Sequence, residues 1–186
     1  DWWQQFAQLR LLFGYQYTHP GKKLNFMGAE IGQWVEWREN ESLDWHLTDT
    51  DTHRKLQQFV RDLNHLYRSE PALYEQDFAP LGFQWIDAND SENSVFVYMR
   101  FAKKAGDFLV TICNFTPIAR EGYRIGVPMA GSYRELLNSD SEIYGGSNVG
   151  NYGLIHTEPE VSHGYGQSLH LTLPPLSVMI LKIQGA

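Results

Sequence analysis

The stretch PGKKLNFMGAEIGQWVEWRENESLDWH, from Pro20 to His46, gathers side chains that could do chemistry. An apolar run of Leu24, Phe26 and Met27 ends at Gly28, and a carboxylate follows at Glu30. Trp34, Trp37 and Trp45 come next, among Glu36, Glu39, Glu41 and Asp44. Indole rings offer flat apolar faces with a polar edge, on which a sugar can stack. Carboxylates bind sugar hydroxyls or move protons. A strand that ends in a glutamate and an aromatic loop reads as the rim of a sugar site, with Glu30 as its candidate acid.

Other residues carry two readings each. Asp44 and Trp45 either touch sugar at the rim, or cap a turn and pack on the body of the protein. Trp34 and Trp37 divide in the same way. In Gly82-Phe83-Gln84-Trp85-Ile86, alternation puts Phe83 and Trp85 on one face and Gln84 and Ile86 on the other. Trp85 is then sandwich core or a surface platform. Asp1 is a helix cap, or a residue of the catalytic face. His156, His163 and His170 recur without a Cys or carboxylate at metal-ligand spacing, so no metal or other cofactor is assigned. Matches to glycosylation acceptors at Asn40, Asn89 and Asn114 are discounted as chance.

These residues need elements to hold them. Asp1 caps a helix that buries Trp2, Phe6, Leu9 and Phe13 and ends before His19-Pro20-Gly21. Lys22 to Met27 reads as a short strand. Gly28 to Asp51 is a polar and aromatic loop too long for a mere connector. A second helix runs from Thr52 to Arg68, with Leu56, Phe59, Val60, Leu63, Leu66 and Tyr67 as its apolar stripe. One strand cannot make a sheet alone. Helix, strand, loop and helix fit the end of a (β/α)8 barrel, in which the loops after the strands build the active site. Trp2, Phe6 and Leu24 are then expected to lack partners within the chain.

After Asp77 the texture changes. Runs at 83–86, 95–101, 108–114, 123–127, 133–137, 169–173 and 178–183 are rich in β-branched and aromatic residues, with turn residues between them. They predict an antiparallel all-β sandwich. Ser139 to Gly166, rich in Gly, Ser and Asn, reads as a long surface loop or an irregular excursion within the β module. The expected division is 1–76 for the barrel end and 77–186 for the sandwich, an α+β arrangement overall.

The bulk properties exclude several classes and leave the aromatic load with two readings, core for most of the rings and sugar-stacking faces for a few. The 186 residues are 42% hydrophobic and 14% aromatic, with a formal charge of −7. No block of Lys or Arg stands out, so neither nucleic acid nor an anionic membrane suits the charge balance. A lone cysteine, Cys113, excludes an intrachain disulfide and fits a reducing cytoplasm. No apolar run reaches membrane-spanning length. The chain opens at Asp1 directly into a helix, which suggests the tail of something longer.

Several motifs resemble one family. Phe26-Met27-Gly28-Ala29-Glu30, Glu36-Trp37 and Ser42-Leu43-Asp44-Trp45 are similar to the eighth-strand region of glycogen branching enzymes, the 1,4-α-glucan branching enzymes of the α-amylase clan. Arg61-Asp62-Leu63-Asn64, Asn114-Phe115-Thr116-Pro117, Leu137-Asn138-Ser139-Asp140-Ser141, Gly145-Gly146-Ser147-Asn148 and Leu171-Thr172-Leu173-Pro174-Pro175-Leu176 agree. The resemblance implies an enzyme that cuts an α-1,4-glucan and transfers the segment to a glucose 6-hydroxyl with retention. Retention needs a carboxylate nucleophile and a carboxyl acid/base. In the family the three essential acids lie on the fourth, fifth and seventh barrel strands, which would all precede Asp1. Glu30 then supports the active face, and this chain by itself has no catalytic residue. Trp85, Trp37, Trp45, Asp44 and Asp1 are the candidates for binding glucan or glycogen, and the missing N-terminal part of the enzyme is the expected partner. The alternatives are a stand-alone α-glucan-binding module and the tail of another clan member, such as a debranching hydrolase.

Overall fold

A computed structural model describes residues 1–184. The Asp1 carboxylate accepts the Trp3 amide at 2.9 Å and caps α1 (Trp2–Thr18), satisfying one of the donors that every helix start leaves open. The helix stops at His19, whose backbone is extended ahead of Pro20. The second helix, α2 (Asp51–Ser69), buries His53, Leu56, Phe59, Val60 and Leu63, a stripe at helical spacing. The two helices run parallel. Phe6 meets His53 edge-on at 4.8 Å near their starts, and the Tyr17 hydroxyl donates to Asn64 at 2.9 Å near their ends.

Eight strands follow: β1 (Phe83–Asp90), β2 (Val95–Phe101), β3 (Phe108–Asn114), β4 (Arg120–Val127), β5 (Ser132–Asn138), β6 (Leu154–His156), β7 (Gln167–Leu173) and β8 (Ser177–Gln184). All pairings are antiparallel. Six strands form one sheet in the order β1-β2-β3-β8-β5-β6, and β4 and β7 form a second, two-stranded sheet. Ile125, Val127, Leu169, Leu171 and Leu173 of the small sheet pack on Val97, Val110, Met179 and Leu181 of the large one. The opposite face of the large sheet presents Tyr98, Leu109, Cys113, Val178 and Ile180 to α1 and α2. Its central strands are therefore covered on both sides, which is why every residue of β3 is buried and its sequence shows no alternation.

Buried polar side chains tie the layers together. Arg100, fully buried on β2, donates to the carbonyls of Thr18 (2.6 Å), Leu73 (3.1 Å) and Gly82 (3.2 Å) and pairs with Asp77 at 2.8 Å. Arg10 of α1 donates to the Ser139 carbonyl at 2.7 Å. Asp140 accepts the Ser147 amide and hydroxyl and the Val149 amide, folding the chain after β5 into a compact loop. From that loop Tyr144 reaches α2, where its hydroxyl donates to Asp62 at 3.0 Å and its ring meets Phe59.

Two expectations are corrected, and one left open between two readings is decided. Lys22 to Met27 forms no strand, and Leu24 and Phe26 are exposed at 74% and 56%. An extended segment becomes a strand only beside another, and no described residue pairs with it. Phe6 does not lack partners: it is 2% exposed, held by α2. The stretch from Ser139 to Gly166 is an irregular excursion within the β module rather than a surface loop. It holds the buried Ser139 and Asp140, a 3-10 turn at Glu142–Tyr144 and strand β6, because side-chain hydrogen bonds organise it where apolar periodicity does not.

Candidate functional site

The first candidate region lies where α1 and α2 begin. Between the helices the chain turns sharply at Met27, Gly28 and Gly32, all with left-handed backbone (φ 34°, 81° and 66°). Glycine adopts that conformation freely, while methionine does so at a cost of about 1 kcal/mol. Glu30 sits half-buried on the 3-10 turn Ala29–Ile31. Its charge reaches the seam between the helices: the Tyr17 phenol is pushed up by burial first and by Glu30 as well, against the lowering effect of its bond with Asn64.

Two side chains fix this turn. The buried imidazole of His53 stands 2.6 Å from the Ile31 carbonyl. That carbonyl can only accept, so Nδ1 carries the proton. Gln33 donates to the Val35 carbonyl at 2.9 Å and accepts the Asp44 amide at 3.0 Å, closing the loop across eleven residues. Neither residue stands out as a site candidate in the sequence. His53 continues the apolar stripe of α2 one turn before Leu56, which was the available signal.

The tryptophans are spread along the loop. Trp34 is half-exposed, and its ring lies 5.1 Å from Trp2 and 6.2 Å from His53. Trp37 is 67% exposed and touches Phe26 edge-on at 6.0 Å. Trp45 begins the 3-10 helix Trp45–Asp49 with half its surface in solvent. Asp44 precedes it, and its backbone carbonyl, not its carboxylate, accepts the first bond of that turn. In the first turn of α2 Asp51 is held below the usual carboxylate range. The Lys55 hydrogen bond is the largest cause, and Arg54 adds to it against a small burial penalty.

Trp85 occupies a separate place. It belongs to the helix-facing side of edge strand β1, not to the core between the two sheets, and it is 38% exposed. Its ring packs on Phe83 (5.0 Å), Tyr98 (5.4 Å), Phe96 (5.6 Å) and His19 (6.4 Å). Phe96 continues to the half-exposed Phe115 at 5.2 Å. His19 follows the last turn of α1, while Asp1 precedes the first. The length of α1, ~25 Å at 1.5 Å per residue, therefore separates Trp85 from Trp34, which packs on Trp2. Trp34 meets Trp2 and His53 at the start of the helix pair, where Asp1 caps α1, and Trp85 stands at the other end.

The three regularly spaced histidines do not converge. His156 meets Ser132, His163 meets Asp87 and the Gly126 amide, and His170 faces Gly122. Among the described residues no group of three His, Cys, Asp or Glu side chains could hold a metal ion. No described helix is long and apolar enough to cross a membrane. Burial pushes the Cys113 thiol up to about 12, against the lowering effect of Tyr98, so it is no nucleophile at neutral pH.

Comparison with known proteins agrees with this architecture. The chain is 52% identical over 185 residues to the 1,4-alpha-glucan branching enzyme GlgB of Rhodospirillum rubrum, and 54% identical over 182 residues to that of Pseudomonas fluorescens. These matches cover 100% and 98% of the chain, which spans about a quarter of the relatives' length (25% and 24%). Among solved structures, the Nostoc punctiforme debranching enzyme superposes on 95% of the chain with a TM-score of 0.59 at 18% identity, over 31% of its own length. The trehalulose synthase MutB of Pseudomonas mesoacidophila does so on 96% with a TM-score of 0.57 at 16% identity, over 38% of its length. At such identities these two likenesses concern fold alone. The model of the alpha amylase C-terminal all-beta domain matches residues 85–184, more than half of the chain, and the chain belongs to that family.

Proposed function

We propose that this chain is the closing part of a 1,4-α-glucan branching enzyme. In this reading residues 1–76 end a (β/α)8 barrel and residues 77–186 form the sandwich that follows it. The observation that carries it is the identity of more than half along the whole chain to enzymes of that name. The helix pair supports it. Two parallel helices flank an extended segment that runs back from the end of α1 toward the start of α2, the geometry of one barrel repeat. The groove lined by Leu9, Leu12, Leu24 and Phe26 is apolar and open, as a face that received neighbouring strands would be. A self-sufficient binding module would have little reason to expose it.

The full enzyme would cleave an α-1,4-glucan, hold the segment covalently on a carboxylate, and release it to a glucose 6-hydroxyl with retention. The three essential acids would lie in the three quarters of the relatives' length that this chain does not span. Glu30 then supports the rim of the cleft. Trp37, Trp45, Asp44 and Asp1 are candidate glucan contacts beside it, and Trp85 is a candidate platform at a distance. Several weak platforms on one polymer add through effective concentration, so a remote ring helps hold a long donor chain. A reducing cytoplasm suits the single buried thiol. The test is iodine staining of amylose, with product analysis for new α-1,6 linkages. The full-length enzyme should lower the colour and form branches, and the 186-residue chain alone should do neither. Branching by the isolated chain would sink the assignment of the acids to the missing part.

A further inference from the structure

We propose that His53 is a positioning residue: its Nδ1–H, donated to the Ile31 carbonyl, holds the turn that presents Glu30 and Trp34 at the glucan-facing end of the helix pair. The inference rests on the reading above that this end faces glucan.

The turn carries backbone strain. Met27, with its side chain, sits at φ 34° next to Gly28 and Gly32 in the same left-handed region. A strained residue persists only where its surroundings over-determine it, and such residues concentrate at sites that bind or react. His53 supplies that constraint from beneath. It is 2% exposed, and its bond to Ile31 is short at 2.6 Å. Phe6, Trp2 and Trp34 meet its ring at steep angles of 87°, 72° and 77°. Gly32 lies against it as well: a Cβ there would stand 3.4 Å from the imidazole Nδ1 and 3.1 Å from Leu56. One side chain thus anchors the turn through a hydrogen bond and the half-exposed Trp34 through ring contact. The imidazole does not need to touch glucan to affect its binding. If the bond is lost, the strain at Met27 has one fewer opposing constraint, and Glu30 and Trp34 move together.

Two substitutions separate the bond from the bulk. His53→Phe keeps an aromatic ring against Phe6 but removes the donor. His53→Asn places an amide N–H near the position of Nδ1 and gives up part of the ring. Both are made in the full-length protein that carries this chain, and two readouts are taken. Limited trypsin cleavage after the exposed Arg38 reports the loop. It should quicken several-fold in His53→Phe and stay near the parent rate in His53→Asn. Unchanged cleavage in His53→Phe overturns the anchor. Steady-state branching of amylose reports position. His53→Phe should lose about tenfold in kcat/KM, mostly through KM, with His53→Asn within about twofold of the parent. Equal losses in both variants, or none in His53→Phe while its loop is cut faster, overturn the positioning role. A parent that forms no α-1,6 linkages overturns the functional reading instead, and the cleavage rates still decide the anchor.

Discussion

Single residues divide here into those that hold the fold and those that face solvent with something to offer. Arg100 is of the first kind, with three carbonyls and the Asp77 carboxylate converging on one buried guanidinium. Replacing it with Met removes every one of those bonds and leaves a carboxylate without its cation. The expected loss is about 3–5 kcal/mol, read as a lower urea midpoint at unchanged slope. Trp85 is of the second kind: four rings hold it while part of its surface stays open. Trp85→Ala should weaken retardation of the protein in gels containing glycogen. Unaltered mobility with an intact fold would remove it from the list of glucan contacts. Alternation along β1 was enough to pair Phe83 with Trp85 and to send Gln84 and Ile86 to the other face. It could not say which face lay inside, because that depends on where α1 packs. Arg100 was equally hidden, since a lone arginine in an apolar strand reads as a flaw until its acceptors are in place.

At the scale of elements, α1 fits closely against β8. A Cβ on Gly14 would lie 2.0 Å from a Val178 methyl carbon, so the absence of a side chain at Gly14 lets the helix lie against the sheet. Gly14→Ala should force the helix outward and cost about 1–3 kcal/mol. A thermal midpoint equal to the parent's would show that the helix can shift freely. Both helices and seven of the eight strands could be read from periodicity and turn residues. The eighth, Leu154–His156, is three residues long with only Ile155 buried, too short to carry a pattern. The segment from Lys22 to Met27 shows the converse. Its composition suits a strand, but a strand is defined by its neighbours and here they are absent. The loops at 27–45 and 139–151 escaped for another reason. Their order comes from single hydrogen bonds made by His53, Gln33 and Asp140, and no periodicity records those.

The whole molecule has one finished side and one unfinished side. The sandwich and the sheet-facing sides of the helices are closed, whereas Leu12, Leu24 and Phe26 line an open apolar groove. Expressed alone, the chain should self-associate through that groove and bind a hydrophobic dye, and Leu24→Lys with Phe26→Ser should return it to a monomer in sedimentation. A parent chain that is already monomeric and dye-silent would argue that the groove needs no cover. The order of the large sheet has a further consequence. β8, the last of the described strands, lies at its centre, between β3 and β5. While the ribosome is still making the chain, β1-β2-β3 and β5-β6 are two half-sheets with bare inner edges, and α1 has no β8 to rest on. Neither half can close until residues 177–184 leave the exit tunnel. The large sheet is therefore joined late, and until β8 is in place its inner edges are open to pairing with another chain.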